Sequence, residues 1–404
     1  MKKDWQIKKL GEVCEINIGR TPERGNSKNW DKEKKTNNVW LSIADLNNTE
    51  NGYISDSTEY VSNEALPKMK LVKANTLLMS FKLTIGRCAI TAKDLYTNEA
   101  IAALPIKEKD LSLFFLKYYL ENFDWDKLTE GDTKVKGKTL NKEKLNVVPI
   151  PVPPLAEQER IVKILDQKFA QIDALKQNAE ANLNNAKALF QSELEKVFNS
   201  NDDWKTIRLK EFSTKIGSGA TPKGGKTSYV EEGISLIRSM NVYPFRFEYE
   251  NLAHITDKQA QELQNVEIKQ KDVLFNITGA SIARCCVVPD NVLPARVNQH
   301  VSILRCKMEL LDSDYLCSVM NAPNNQKILL GIGESGSTRQ ALTKSDLENF
   351  IFPLPPLEEQ KRIVAHLDSL REKVHQLEEI YTKQLADCDE LKQSLLQKAF
   401  AGEL

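Results

Sequence analysis

Two mixed α/β domains in tandem, each followed by a long helix, are expected from this sequence. The chain has 404 residues, which is too long for one ordinary hydrophobic core. A nine-residue phrase occurs twice, as PLAEQERIV at 154–162 and as PLEEQKRIV at 356–364, and each copy opens a long helical stretch. We therefore expect a first domain at 1–153, a long helix at 154–200, a second domain at 201–355 and a second long helix at 356–404.

The two expected domains match each other along their length, which indicates a tandem duplication. Two copies are too few for a solenoid, so the prediction is a pseudo-two-fold symmetric protein. The matching segments are WQIKKL at 5–10 with WKTIRL at 204–209, IGRTP at 18–22 with GATP at 219–222, IGRC at 85–88 with IARC at 282–285, and NEA at 98–100 with NQH at 298–300.

Within each domain, short apolar runs bounded by Gly, Asn and Asp predict β-strands. Such runs occupy 39–43, 77–81 and 273–277. Longer apolar stretches at 111–122 and 315–320 predict short helices. This mixture of strands and helices is the basis for expecting mixed α/β domains.

The two long helices carry start signals and a heptad pattern. Pro154 and Pro356 are expected in the first helical turn, where a missing N–H costs nothing. Apolar residues then recur in heptads, which predicts that the helices pair as a coiled coil. Packing of each helix on its own domain is the alternative. The residues expected in the helix pairing are Ile161, Leu165, Ile172, Leu175, Leu189, Ile363, Leu367, Leu370, Val374, Leu377 and Leu391.

Composition excludes several classes of protein. No apolar run approaches the ~20 residues of a membrane span, and no apolar segment follows the N-terminus as in a signal peptide. The seven cysteines are scattered without a CxxC pair, so we expect a protein of the reducing cytoplasm. With only four histidines, a metal site is not expected.

The sequence also lacks recognisable catalytic motifs, so no catalytic residue is predicted. The segments GDTKVKGKT at 131–139 and GATPKGGKT at 219–227 resemble a phosphate-binding loop, but each has five residues between its glycines where that loop has four. No Gly-rich dinucleotide fingerprint is present, and no cysteine has a convincing base partner.

Polar and basic side chains in turn-rich stretches suggest contact with nucleic acid. The net charge is zero, but residues 1–153 carry 25 Lys and Arg against 21 Asp and Glu, a net charge of +4. Arg, Asn and Gln can bind base edges, and Lys can anchor phosphates. For any single residue a solvated surface role is the alternative. The candidates are Arg20, Thr21, Lys28, Asn29, Trp30, Lys34, Lys35, Lys82, Arg87, Lys134, Lys136, Lys138, Thr221, Lys223, Lys226, Arg238, Asn241, Arg246, Thr278, Ser281, Arg284 and Arg339.

Three features together resemble the DNA-specificity subunits of type I restriction-modification enzymes. They are the two P-L-x-E-Q-x-R-I-V helix openings, the paired Gly-x-Thr-Pro starts and the ending LQKAFAGEL at 396–404. The resemblance covers essentially the whole chain. It implies two target-recognition domains and two conserved spacer helices that pack antiparallel. Each domain is expected to read one half of a split, asymmetric sequence in double-stranded DNA.

The resemblance also implies partners and cofactors. Such a subunit has no activity and no cofactor of its own. It is expected to assemble with two methyltransferase subunits, which use S-adenosylmethionine, and with restriction subunits that translocate DNA with ATP and Mg²⁺.

Two other functions remain open at this point. The chain could be a fused or stand-alone DNA-modifying enzyme, which the missing motifs disfavour, or a scaffold that has lost DNA recognition. Within the favoured interpretation, Arg87 and Arg284 are expected on DNA-facing loops, because each follows a matching strand. An internal ion pair with a carboxylate is the alternative for each arginine.

Overall fold

The computed structural model describes residues 5–129, 140–199, 204–334 and 341–404. The chain forms two compact units. The first unit combines residues up to 178 with the C-terminal residues 384–404, and the second unit comprises residues 179–383. Each unit therefore contains one domain, half of one long helix and half of the other.

The first unit contains a five-stranded sheet in the order β2-β9-β6-β7-β4, a three-stranded sheet β5-β3-β8 and a pair β1-β10 that joins the two ends of the domain. The strands are β1 Gln6–Lys9, β2 Asn17–Ile18, β3 Val39–Leu41, β4 Tyr53–Ile54, β5 Glu59–Tyr60, β6 Leu77–Ser80, β7 Cys88–Thr91, β8 Tyr96–Thr97, β9 Ile101–Leu104 and β10 Pro149–Val152. The helices are α1 Leu10–Val13, α2 Leu113–Asn122, α3 Asp126–Thr129, α4 Lys142–Asn146 and the first half of the long helix α5, Leu155–Asn199.

The second unit repeats this plan with a four-stranded sheet β12-β20-β17-β18, a three-stranded sheet β16-β13-β19, a hairpin β14-β15 and an end-joining pair β11-β21. Its strands are β11 Lys205–Arg208, β12 Ser213–Ser218, β13 Ile234–Ile237, β14 Val242–Tyr243, β15 Arg246–Phe247, β16 Ala253–Ile255, β17 Val273–Asn276, β18 Cys285–Val287, β19 Ala295–Val297, β20 Val301–Cys306 and β21 Ile351–Leu354. Its helices are α6 Asp257–Glu262, α7 Ser313–Asn321, α8 Pro323–Glu334, α9 Lys344–Glu348 and the first part of the long helix α10, Leu357–Ala401.

The mixed α/β prediction is confirmed. The predicted strands correspond to β3, β6 and β17, and the predicted short helices correspond to α2 and α7. Strands β6 and β17 are buried along their whole length, because each lies inside a sheet between two neighbours. Such strands appear in a sequence as short continuous apolar runs, which is the signal that predicted them.

A buried glutamine explains the repeated phrase. In the first unit, Gln158 donates from Nε2 to the carbonyls of Asp110 and Pro153, both at 2.7 Å, and accepts from the Ser112 amide at 2.8 Å. The side chain is fully buried. These bonds connect the start of α5 to the loop that precedes α2, and a buried amide needs such partners.

The second unit repeats the same bonds. Gln360 donates to the carbonyls of Leu310 at 3.0 Å and Pro355 at 2.9 Å, and accepts from the Asp312 amide at 2.8 Å. It too is fully buried. The Gln-clamp, as we name each of these three-bond arrangements, therefore fixes each long helix to its own domain.

The prolines of the phrase lie one residue earlier than predicted. The long helices begin at Leu155 and Leu357, so Pro154 and Pro356 flank the first turn instead of lying in it. Their carbonyls accept the first helical hydrogen bonds, from the amides of Gln158 at 3.1 Å and Gln360 at 3.0 Å. The prolines therefore act at the N-cap position, where only the carbonyl takes part in the helix.

The long helices run antiparallel where they meet within a unit. In the first unit, Lys176 pairs with Asp389 at 2.7 Å, and Lys392 pairs with Asp173. In the second unit, the His366 ring lies 3.2 Å from the Glu193 carboxylate. In both units a residue early in one helix half meets a residue late in the other, which is the antiparallel order.

The predicted heptad pairing is only partly what the structure shows. Leu175, Leu189 and Leu391 are 48–50% exposed, so these three do not lie in a buried seam. The physical reason is that the buried stripe of α5 is narrow: it follows Leu165, Ile172, Ala179 and Ala186 at seven-residue spacing, while the neighbouring heptad position faces away. The second heptad position is buried only near the start of each helix, at Ile161 and Ile363. The predicted residues that are buried are Ile161, Leu165, Ile172, Ile363, Leu367 and Val374, and those that are partly buried are Leu370 and Leu377.

The Gln-clamp generates the first prediction. Replacing Gln158 by Leu keeps the side-chain volume but leaves two carbonyls and one amide without their partner. We expect the free energy of unfolding to fall by about 3 kcal/mol, as for buried polar groups that lose a partner. Chemical denaturation measures this loss, and the exposed Gln167 on the same helix provides the control substitution to Leu. Equal losses for both variants would show that the clamp contributes nothing specific.

Candidate nucleic-acid interface

The Gly-x-Thr-Pro turns are held by close backbone contact. The amide of Gly19 donates to the Ile101 carbonyl at 3.3 Å, and the amide of Gly219 donates to the Asn298 carbonyl at 3.0 Å. A Cβ atom at Gly19 would overlap the carbonyl oxygen of Thr97, and one at Gly219 would overlap that of Val297. Glycine is therefore required here by proximity to another backbone segment.

The threonine of each turn binds a side chain from a second loop. In the first domain, the Thr21 hydroxyl donates to Oε2 of Glu99. In the second domain, the Thr221 hydroxyl donates to Oε1 of Gln299. The partners are 78 residues apart in both domains. The sequence prediction named both threonines but missed Glu99 and Gln299, although the matching NEA and NQH segments contained that signal.

The second domain extends this contact into a chain of polar groups. Nε2 of Gln299 lies 3.0 Å from Nε2 of His300, and Nδ1 of His300 lies 2.6 Å from the Thr278 hydroxyl. Thr278 belongs to the loop between β17 and β18, so three segments that are distant in sequence meet here. The structure thus brings the candidates Thr221 and Thr278 into one site.

The ionised state of Glu99 is favoured by its surroundings. Partial burial alone would raise the pKa of the Glu99 carboxyl, but the hydrogen bond from Thr21 and the nearby charge of Lys82 together hold that pKa below its usual value. Glu99 is therefore negatively charged at neutral pH. A carboxylate of this kind can only accept hydrogen bonds.

The predicted arginines Arg87 and Arg284 occupy matching β-hairpins. Each follows a residue with positive φ, Gly86 at 87° and Ala283 at 68°. Arg87 is exposed, and its side chain forms no hydrogen bond or ion pair within the part of the chain that the structure describes. Arg284 is partly buried with its guanidinium 5.0 Å from the centre of the Tyr243 ring. Among the residues that the structure describes, neither arginine forms the internal ion pair that was the alternative.

Arginines also stack on aromatic rings near the Gly-x-Thr-Pro turns. The Arg24 guanidinium lies 4.3 Å from the Trp30 ring centre and 4.8 Å from that of Trp40, and it pairs with Glu59. In the second domain Arg238 lies 5.6 Å from the Tyr229 ring centre. Such contacts hold a guanidinium in place. Arg24 was not among the predicted residues, because nothing in its local sequence indicates the stacking.

One predicted DNA contact is wrong, and others are engaged locally. Asn241 is fully buried, and its amide donates to the Glu248 carbonyl at 2.9 Å while its oxygen accepts from the Arg238 amide at 3.1 Å. It stabilises its own turn and cannot reach a base. Asn29, Lys34, Lys35 and Arg246 each bind a nearby backbone carbonyl or carboxylate.

The remaining candidates for DNA contact fall into two groups. Those that lie on the surface without a role assigned by the structure are Arg20, Lys28, Lys223, Lys226 and Ser281. Those that lie outside the described residues are Lys134, Lys136, Lys138 and Arg339.

The cysteines are buried thiols. All seven are free and buried. Burial raises the pKa of the Cys14 and Cys306 thiols to about 12, and the Cys285 and Cys317 sulfurs lie 3.9 Å apart inside the second unit. A thiol with so high a pKa is not the reactive thiolate.

Comparison with known proteins decides the family. The type I restriction modification DNA specificity domain matches this chain twice, at residues 2–185 and 201–385. The chain belongs to this family. It is a type I restriction-modification DNA-specificity subunit, and such subunits are non-catalytic.

Similar proteins span nearly the whole of this specificity subunit. A putative type I restriction enzyme MjaX specificity subunit of Methanocaldococcus jannaschii is 24% identical, with 99% of this chain and 94% of the relative covered. The EcoKI specificity subunit of Escherichia coli is 21% identical, with 99% and 89% covered.

Solved structures share the fold. A chain from a study of complex assembly and conformational transition of the type I R-M system matches with a TM-score of 0.79 and 21% identity, covering 100% of this chain and 99% of that one. The HsdS subunit of Thermoanaerobacter tengcongensis matches with a TM-score of 0.60 and 19% identity, covering 100% and 98%. No helix among the described residues is long and apolar enough to cross a membrane.

The hairpin arginines generate the second prediction. We predict that Arg87 and Arg284 contact bases. Replacing either by Ala should then weaken specific DNA binding by about 1–3 kcal/mol, the usual contribution of such a contact. Binding is measured by fluorescence anisotropy with the assembled complex at fixed salt. Arg371, on α10 in the second unit, gives the control substitution to Ala. A variant that melts earlier yet binds as tightly when folded would contradict the DNA contact.

Proposed function

We propose that each unit of this specificity subunit reads one half of a bipartite, asymmetric DNA target and docks one methyltransferase subunit. The observation that supports this is the duplicated three-loop site, defined as the Gly-x-Thr-Pro turn, the hairpin after β6 or β17, and the turn that holds Glu99 or Gln299. In both domains the threonine of the Gly-x-Thr-Pro turn binds the side chain 78 residues further along, but that side chain is Glu99 in the first domain and Gln299 in the second. A shared frame with different side chains favours two different half-sites.

The methyltransferase docking surface has a candidate on the long helices. Leu175 and Leu391 are each 48% exposed on facing helix halves of the first unit, beside the pairs Lys176–Asp389 and Asp173–Lys392. The repeat places Leu377 and Leu189 at the matching positions of the second unit. Exposed leucines on otherwise charged helices favour cover by a partner's apolar face. In the second unit Leu189 is 50% exposed and Leu377 is partly buried, so this patch is smaller. A patch in each unit favours two methyltransferase subunits.

The chemistry of the complex resides in the partners under this proposal. S-adenosylmethionine binds to the methyltransferase subunits, and ATP and Mg²⁺ act on the restriction subunits that translocate double-stranded DNA. The assembly works in the cytoplasm, where free buried cysteines stay reduced. The specificity subunit contributes the choice of sequence.

Exchange of one domain tests the half-site proposal. Residues 1–153 are replaced by the corresponding domain of a relative with a known target, and the methylated sequence is mapped across a host genome. We expect one half of the target to change and the other to stay, because each domain reads alone. The converse exchange of residues 201–355 should change only the other half. If either exchange alters both halves, the domains do not read independently.

Charge introduced into one leucine patch tests the docking proposal. We expect the double variant Leu175→Glu with Leu391→Glu to lose one of two methyltransferase subunits, since carboxylates cannot be buried against an apolar face. Native mass spectrometry of the co-purified complex counts the subunits. Leu71 in the first domain is 45% exposed and provides the matched control substitution. A double variant that still carries two subunits would refute docking at this patch.

A further inference from the structure

We infer that Glu99 and Gln299 are matched specificity-determining residues, Glu99 accepting from the N4 amino group of a cytosine and Gln299 pairing with an adenine in the other half-site. The inference rests on the proposed function, in which each domain reads one half of the target. It adds to that function which residue of each domain selects a base and which base that residue selects.

The position of both side chains is fixed from two directions. The Thr21 hydroxyl donates to one carboxylate oxygen of Glu99, and the Thr221 hydroxyl donates to the amide oxygen of Gln299. The turns that carry these groups are closed by the Asn98 and Asn298 side chains, whose Oδ1 atoms accept from the amides of Ala100 and His300 at 3.0 Å. Little rotamer freedom is therefore left to lose on binding, which is the requirement for a preorganised contact.

Both side chains keep hydrogen-bonding capacity for a ligand. Glu99 and Gln299 are exposed. A carboxylate can accept about four hydrogen bonds and an amide group has two donors and two acceptor sites. Thr21 uses one acceptor site of Glu99. In Gln299, Thr221 uses one acceptor site and His300 faces the nitrogen, so one donor and one acceptor remain.

The chemistry of each group selects its base. A carboxylate repels phosphates and has no hydrogen to donate, so in a DNA-contacting loop Glu99 can only face amino groups on base edges. Glutamate accepts from cytosine N4, whereas glutamine offers the donor and acceptor that match N7 and N6 of adenine. Exchanging one side-chain oxygen for an NH₂ group therefore changes the preferred base. The nearby positive charge of Lys82 can meanwhile contact a phosphate.

The reciprocal variants Glu99→Gln and Gln299→Glu test the inference in the complete methyltransferase complex. Methylated sequences are mapped across the genome of a host that lacks restriction. We expect Glu99→Gln to change one base pair of one half-site from G·C to A·T, and Gln299→Glu to change one base pair of the other half-site in the opposite direction. The preference at each changed position should shift by about tenfold to a hundredfold.

Two further variants keep the test decisive. If Glu99→Gln does not fold, Glu99→Ala should leave the same single position degenerate, because no group then selects a base there. Glu108→Gln changes another carboxylate of the first domain, one that pairs with Lys8 outside the three-loop site, and should leave the target unchanged.

The outcomes separate the inference from the proposed function. A bipartite wild-type target that stays identical in Glu99→Gln and Gln299→Glu, whether methylated fully or less efficiently, would overturn the inference and leave only a role in holding the turns. A wild-type target that is not bipartite, or a single variant that alters both halves, would instead overturn the proposed function.

Discussion

The joint between each domain and its long helix depends on the Gln-clamp at the start of that helix. Gln158 and Gln360 lie in the interior with all their bonds made to backbone groups of their own domain. A buried backbone group without a partner costs about 1–3 kcal/mol, so the clamp resists any change in how helix and domain meet. Because the constraint acts in both units, the same phrase occurs twice in the sequence.

A fixed frame is what allows the loops to vary. The end-joining strand pairs β1-β10 and β11-β21 close each domain beside its clamp, and the three-loop site is carried by other strands. Each domain keeps a close backbone contact at Gly19 or Gly219, although the acceptor is Ile101 in the first and Asn298 in the second, while Glu99 is replaced by Gln299. Recognition can differ between the halves without a change in the parts that hold the helices.

Sequence patterns predicted the parts of the structure that depend on local periodicity. The buried strands, the short helices and the long helices all have such a signal. The heptad pattern predicted too wide a buried seam, because Leu175, Leu189 and Leu391 lie at the heptad position that is exposed beyond the first turns of the long helices. Asn241 was misassigned because the sequence does not distinguish an asparagine that closes its own turn from one that contacts a base. The contacts of Glu99 and Gln299 join residues 78 apart, which only the fold brings together.

The chain has no net charge, and several cations near its candidate interface are also engaged in ion pairs. Arg24, Lys35 and Arg246 near the candidate interface each pair with a carboxylate. Such pairs orient side chains but reduce the long-range attraction to phosphates that supplies most non-specific affinity for DNA. A subunit built in this way contributes discrimination between sequences more than binding strength. We therefore infer that the methyltransferase partners contribute much of the phosphate contact, so that tight binding and correct reading coincide only in the assembled enzyme.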